Sequence, residues 1–162
     1  MKAILILLIL SISILPQSNP KFEEYFLDET LRIDYFHIGD AMTEMITVDK
    51  MFRYGIWAGS IKHLVDNLNN GKYYVKIYDL ETKKLIYSKG FNTLFGEYAS
   101  SDDGVNGIIK SFHESAIIPF PKKKIIFAIE KRNEKNLLEE FFRTEIDPQS
   151  IFIIKDKVSD TT

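Results

Sequence analysis

His113-Glu114 is the place where side chains able to do hydrolytic chemistry stand in a suggestive order. On a helix, His-Glu-x-x-His sets two imidazoles one turn apart for a zinc ion, with the glutamate as base. Here the second histidine position is Ile117, and Pro119 follows, which opposes a long helix. One histidine beside one glutamate does not close a zinc site, which usually takes at least three protein ligands. His37 and His63 stand alone in sequence. The pair therefore reads as polar residues on a strand or loop. Gly59-Ser60 lacks the second glycine of a nucleophile elbow and reads as a turn. Asp102-Asp103-Gly104 lacks the alternating oxygen ligands and closing glutamate of a calcium loop. The neighbouring carboxylates Glu23-Glu24 and Glu139-Glu140 belong to surface-like segments, and Lys122-Lys123-Lys124 is a short solvated run. No catalytic, metal-ligating or cofactor-binding residue is assigned.

Composition narrows the class. The 162 residues are 45% apolar and 13% aromatic, which suits a folded domain. A net charge of −2 and a pI near 5.9 give no electrostatic footprint for nucleic acid. Cysteine is absent, which excludes disulfides, thiolate metal sites and thiol nucleophiles. Lys2 followed by an apolar run through Leu15, then Pro16, Asn19 and Pro20, reads as a signal peptide over residues 1–18. The run is shorter than the roughly 20 residues of a membrane-spanning helix. The expectation is export to the periplasm, cell surface or medium, with no stable membrane insertion once the leader is gone, and one module over residues 19–162.

Any surface used by that module must be positioned by strands. Tyr73, Val75 and Ile77 fall on one face of an extended segment, and Tyr74, Lys76 and Tyr78 on the other. After Glu81-Thr82-Lys83 a second extended stretch, Leu85 through Phe91, completes a β-hairpin. Residues 31–38 alternate and stop at Gly39-Asp40, residues 44–48 suggest a short strand, and residues 49–54 suggest one helical turn capped by Asp49. Helical spacing of Val105, Ile108 and Ile109 predicts a helix over 102–110. Residues 112–118 read as extended and end at Pro119-Phe120-Pro121, and Ile125, Phe127 and Ile129 mark a core strand. Residues 137–146 fit a helix or a strand, with strand favoured because a meander needs only a short connection. Residues 151–154 form a last apolar run. Seven or eight short strands with turns about every ten residues predict a mainly β fold, a two-sheet antiparallel sandwich with one or two short helices.

The tyrosines at 73, 74, 78, 87 and 98 suit core and cross-strand packing better than a sugar-stacking face. Trp57 lies between Gly55 and Gly59, and Phe120 lies between two prolines. Aromatics so placed either plug the end of a core or anchor a partner. They are the two candidate interface residues.

Several segments together resemble the N-terminal domain of the IgA metallopeptidase family, best known from gut Bacteroidetes. They are Thr30-Leu31-Arg32-Ile33-Asp34-Tyr35, Gly55-Ile56-Trp57-Ala58-Gly59-Ser60, Gly71-Lys72-Tyr73-Tyr74-Val75-Lys76, Leu85-Ile86-Tyr87-Ser88-Lys89-Gly90-Phe91, Phe95-Gly96-Glu97-Tyr98, Phe112-His113-Glu114-Ser115-Ala116 with Ile118-Pro119-Phe120-Pro121, and Glu145-Ile146-Asp147-Pro148. The resemblance implies an exported β-sandwich that precedes a zinc peptidase domain carrying a His-Glu-x-x-His helix. Zinc is then expected only in that further domain, which these residues do not include. The expected role is a non-catalytic accessory module that docks or supports a peptidase domain in cis or in trans. The alternative is a free-standing secreted module that binds a glycan or a host glycoprotein through exposed aromatics.

Overall fold

The computed structural model describes residues 19–155; the leader assigned to residues 1–18 lies outside the described residues. Helix α1 (Phe22–Tyr25) leads into β1 (Phe26–Gly39), followed by β2 (Glu44–Tyr54), β3 (Tyr73–Asp79) and β4 (Leu85–Phe91). Helices α2 (Leu94–Tyr98) and α3 (Asp102–Val105) precede β5 (Lys110–Pro121), β6 (Ile125–Arg132), β7 (Leu138–Ile146) and β8 (Ile153–Lys155). Two four-stranded sheets form, ordered β5-β1-β2-β8 and β4-β3-β6-β7. All pairings are antiparallel except the short β2–β8 pair, which is parallel. Among the described residues no helix is long and apolar enough to cross a membrane.

The sandwich follows from alternation in strands that each turn one face to the other sheet. Leu31, Ile33 and Tyr35 of β1 and Ala116, Ile118 and Phe120 of β5 meet Tyr73, Val75 and Ile77 of β3 and Phe127 and Ile129 of β6 in one core. The tyrosines 73, 74, 87 and 98 are all buried, in keeping with packing. β6 sits inside its sheet, and every residue from Ile125 to Glu130 is buried.

Four local expectations need correction. Residues 49–54 are not a helical turn: β2 runs on to Tyr54, because a register shift beside Asp34 lets Asp49 bulge out and the strand resumes. The helix read over 102–110 stops at Val105, and Lys110 already begins β5, so Ile108 and Ile109 lie in the connection, both exposed. β5 does not stop at Ile118: Pro119 lies within it and the strand ends at Pro121, which an edge strand permits because one side of its backbone has no ladder to complete. Among the described residues there are three short helices rather than one or two; α2 is opened by Thr93, whose side chain accepts from the Gly96 amide at 2.7 Å. Residues 138–146 are strand.

The β1–β2 turn aims the site described next. Gly39 has φ +145°, and a Cβ there would press into the Thr43 carbonyl. Asp40 closes the turn by accepting from the Met42 and Thr43 amides at 2.8 and 2.7 Å. Gly39→Ala is predicted to lower stability by about 1–3 kcal/mol, read as a shift of the urea midpoint with unchanged slope.

Candidate functional site

His113 and Glu114 are strand neighbours, so their side chains leave opposite faces of β5. His113 points outward, packs at a tilt against Phe36 at 4.9 Å between ring centroids and reaches Asp49 at 3.3 Å. Glu114 points between the sheets to His37. This separation removes the pair as a hydrolytic unit and creates a different arrangement.

His37 lies on the core face of β1, beyond Leu31, Ile33 and Tyr35, and is fully buried. Its Nε2 is 2.8 Å from Glu44 Oε1, and its Nδ1 is 3.1 Å from Glu114 Oε2. Glu44 also accepts from the Tyr73 hydroxyl at 2.8 Å and pairs with Lys131. Glu114 accepts from the Phe95 amide at 3.2 Å. The Phe95 ring lies flat on the imidazole, 4.1 Å between centroids and 19° between planes, and Tyr73 meets it edge-on at 5.5 Å. A neutral imidazole carries one N–H and would turn a lone pair toward one carboxylate; an imidazolium donates to both.

The electrostatics agree. Burial by itself pushes the His37 pKa down, but the hydrogen bonds its ring donates to Glu114 and Glu44 outweigh it, and the net shift is upward. For Glu44 burial raises the pKa, while hydrogen bonds from His37, Lys131 and Tyr73 bring it down to about 2. Burial and the adjacent carboxylates hold the Tyr35 and Tyr73 hydroxyls well above the ordinary tyrosine range. The result is a charged cross-sheet clamp, with β1, β2 and β5 on one side, β3 and β6 on the other, and α2 as its lid. It does not fit zinc: the two carboxylates lie on opposite nitrogens of one ring, so the three side chains cannot converge on an ion. Among the described residues no group of three histidine or acidic side chains is arranged to hold a metal. The one sequence signal for the clamp is a histidine on the apolar side of an alternating strand, which needs a buried partner.

The two candidate interface residues separate. Trp57 is half-buried in the loop after β2, T-shaped on Tyr87 at 6.0 Å, with Nε1 donating to the Ser60 carbonyl at 3.3 Å. Gly59 lies so close under the indole that a Cβ would enter the ring. Trp57 forms one wall of an open cleft of about 500 Å³ that His63, Asp66, Asn67 and Lys89 also line. Phe120 is 2% exposed, within the core and under the Arg53 guanidinium at 4.3 Å, which Glu29 in turn holds. It offers no surface to a partner.

Residues 21–143 match the family described as Peptidase M64 N-terminus. The chain belongs to that family. The match spans β1 through most of β7 and thus the whole clamp. M64 is the IgA peptidase family, so the match agrees, as far as the N-terminal domain goes, with the resemblance carried by the segments between Thr30 and Pro121; Glu145-Ile146-Asp147-Pro148 lies beyond the matched residues. Comparison with curated proteins found no match.

The clamp sets the pH response of this M64 N-terminal domain. His37 is raised, so its contribution is complete below its ordinary pKa near 6.5 and is lost as pH climbs through the folded value. Glu44 is lowered, so its contribution is complete above 4.5 and is lost only as pH falls through about 2. Stability from the clamp should be greatest between about pH 4.5 and 6.5 and decline above that window. His37→Ala should cost about 3–5 kcal/mol, because two carboxylates stay behind without their shared partner, and should flatten the decline above pH 6.5. Urea denaturation of both proteins across pH 4–9 checks both effects.

Proposed function

We propose that this chain is a non-catalytic accessory module that docks or supports an M64 peptidase domain, in cis or in trans. The observation behind this is the family match over residues 21–143, on a fold that holds His37, Glu44 and Glu114 in a structural clamp. His63, on the rim of the Trp57 cleft, and His113, paired outward with Asp49, add no second convergent ligand. The leader read over residues 1–18 supports export. Zinc belongs, on this reading, to the peptidase domain alone.

A second reading has its own support. The Trp57 cleft joins a fixed indole face to amide, carboxylate and ammonium side chains, a combination suited to stacking a sugar ring and bonding its hydroxyls. Trp57 is the sole tryptophan of the chain, so indole emission reports on this cleft alone.

The purified chain is predicted to hold no stoichiometric zinc and to leave casein and immunoglobulin uncut. Chelator-sensitive cleavage with one zinc per chain would sink the accessory reading. Saturable change of the indole emission with a mono- or oligosaccharide, abolished in Gly59→Leu, would move the assignment to the glycan module.

A further inference from the structure

The outer faces of the two sheets differ in kind. On the sheet containing β6, outward positions carry charge: Lys76 pairs with Glu130 at 2.6 Å, Arg143 with Glu140 at 2.8 Å, and the Tyr78 hydroxyl leans on Glu130 at 3.3 Å. These groups cover Ala128 and Ile126, which are 0% and 2% exposed, so that face is complete. On the other sheet, the register aligns Ile117 of β5, Arg32 of β1, Phe52 of β2 and Ile154 of β8 in one row across all four strands. Ile117 and Ile154 are 46% and 45% exposed. Phe52 between them is half-buried, and the Arg32 guanidinium lies on its ring at 4.2 Å and near Tyr54 at 5.7 Å. Asp34, two residues along β1, lies 2.9 Å from Arg32 Nε as an ion-pair contact and accepts from the Ser115 hydroxyl at 2.7 Å. The stack fixes the guanidinium in place with no hydrogen-bond acceptor in ordinary geometry at its buried Nε.

An apolar row with one immobilised arginine at its centre has the make-up of an interface core, where aromatics and arginine concentrate binding energy. The topology indicates what covers it. β8, the last described strand, is itself the edge of this face. In a family described as a peptidase N-terminus, the peptidase portion follows such a region in sequence. A domain joined beyond β8 is held beside the Ile117–Ile154 row at high effective concentration, so modest contacts suffice to seat it. We propose that the outer face of the β5-β1-β2-β8 sheet, centred on Ile117, Arg32, Phe52 and Ile154, is the docking surface for the peptidase domain. This rests on the accessory reading above and moves the interface away from Trp57 and Phe120. The matching patch on the peptidase domain is apolar with a carboxylate or carbonyl set to meet Arg32.

The test measures binding of this chain to a separately expressed M64 peptidase domain by titration calorimetry, with hydrogen–deuterium exchange on the unmodified pair. Ile117→Glu and Ile154→Glu should each weaken binding at least tenfold while the thermal midpoint stays near the parent's; the milder Ile117→Ser and Ile154→Ser should act in the same direction. Arg143→Glu, on the opposite sheet, should leave binding unchanged. Exchange should slow in β5 and β8 on complex formation. Binding that survives all four isoleucine substitutions but is lost in Trp57→Ala overturns the proposal and leaves the accessory reading standing. Self-association of the chain through this row, seen by sedimentation and abolished by the same variants, overturns it in favour of a dimer. Unmodified protein that binds no M64 peptidase domain overturns the accessory reading itself, and the docking face with it.

Discussion

The bond pair from His37 to Glu44 and Glu114 is the constraint on which the rest of the domain depends. Without disulfides, two sheets can slide on an apolar interface at small cost, because hydrophobic contact is not directional. A buried cation between two anions is directional. It ties β1 to β2 and β5 within one sheet and, through Tyr73 and Lys131, to β3 and β6 of the other. It also pins register. A slip of β5 by one residue would turn His113 inward and Glu114 out, leaving His37 against a second imidazole. Buried ion pairs add little net stability over a well-packed apolar core, so the value of this one is the uniqueness it imposes on strand pairing.

The same need for specificity explains the sheet margins. β5 is an edge with Pro119 and Pro121 in its last turn of residues, and a proline offers no N–H to an incoming strand. β7, the margin of the other sheet, carries Glu139, Glu140, Arg143 and Glu145. Both devices discourage pairing along the backbone edges, and neither touches the row from Ile117 to Ile154. The domain thus guards these two edges while leaving an apolar row open across one face.

Much of this architecture could be read from the chain, and the misses share a cause. The β3–β4 hairpin and β6 were legible because their alternation is uninterrupted and rich in aromatic and β-branched residues. The second half of β2 was not, because the Asp49 bulge breaks the period and places two charged residues in sequence, which mimics a cap. α2 was missed because a five-residue helix has too few turns to show a period. For the site, His37 gave a signal in its position among Leu31, Ile33 and Tyr35, but its partners lie 7 and 77 residues away, a pairing only topology reveals.

Outer-face chemistry is the least legible level, because alternation says which residues share a face and not what lies over it. Tyr74, Lys76 and Tyr78 read as an outward stripe, yet Tyr74 is buried beside Gly90, where the missing side chain makes room for its ring. Phe52, read as part of a helical turn, is outward and only half covered. Had the row been a fault of packing, Arg32 would extend to water, where its charge is best solvated. Instead it lies on Phe52, held by Asp34, with side-chain exposure of 34%. Fixing a flexible cation over an aromatic ring forgoes side-chain entropy in the isolated domain. A group already ordered loses less freedom when a second surface meets it, and that preorganisation is what the proposed docking face offers.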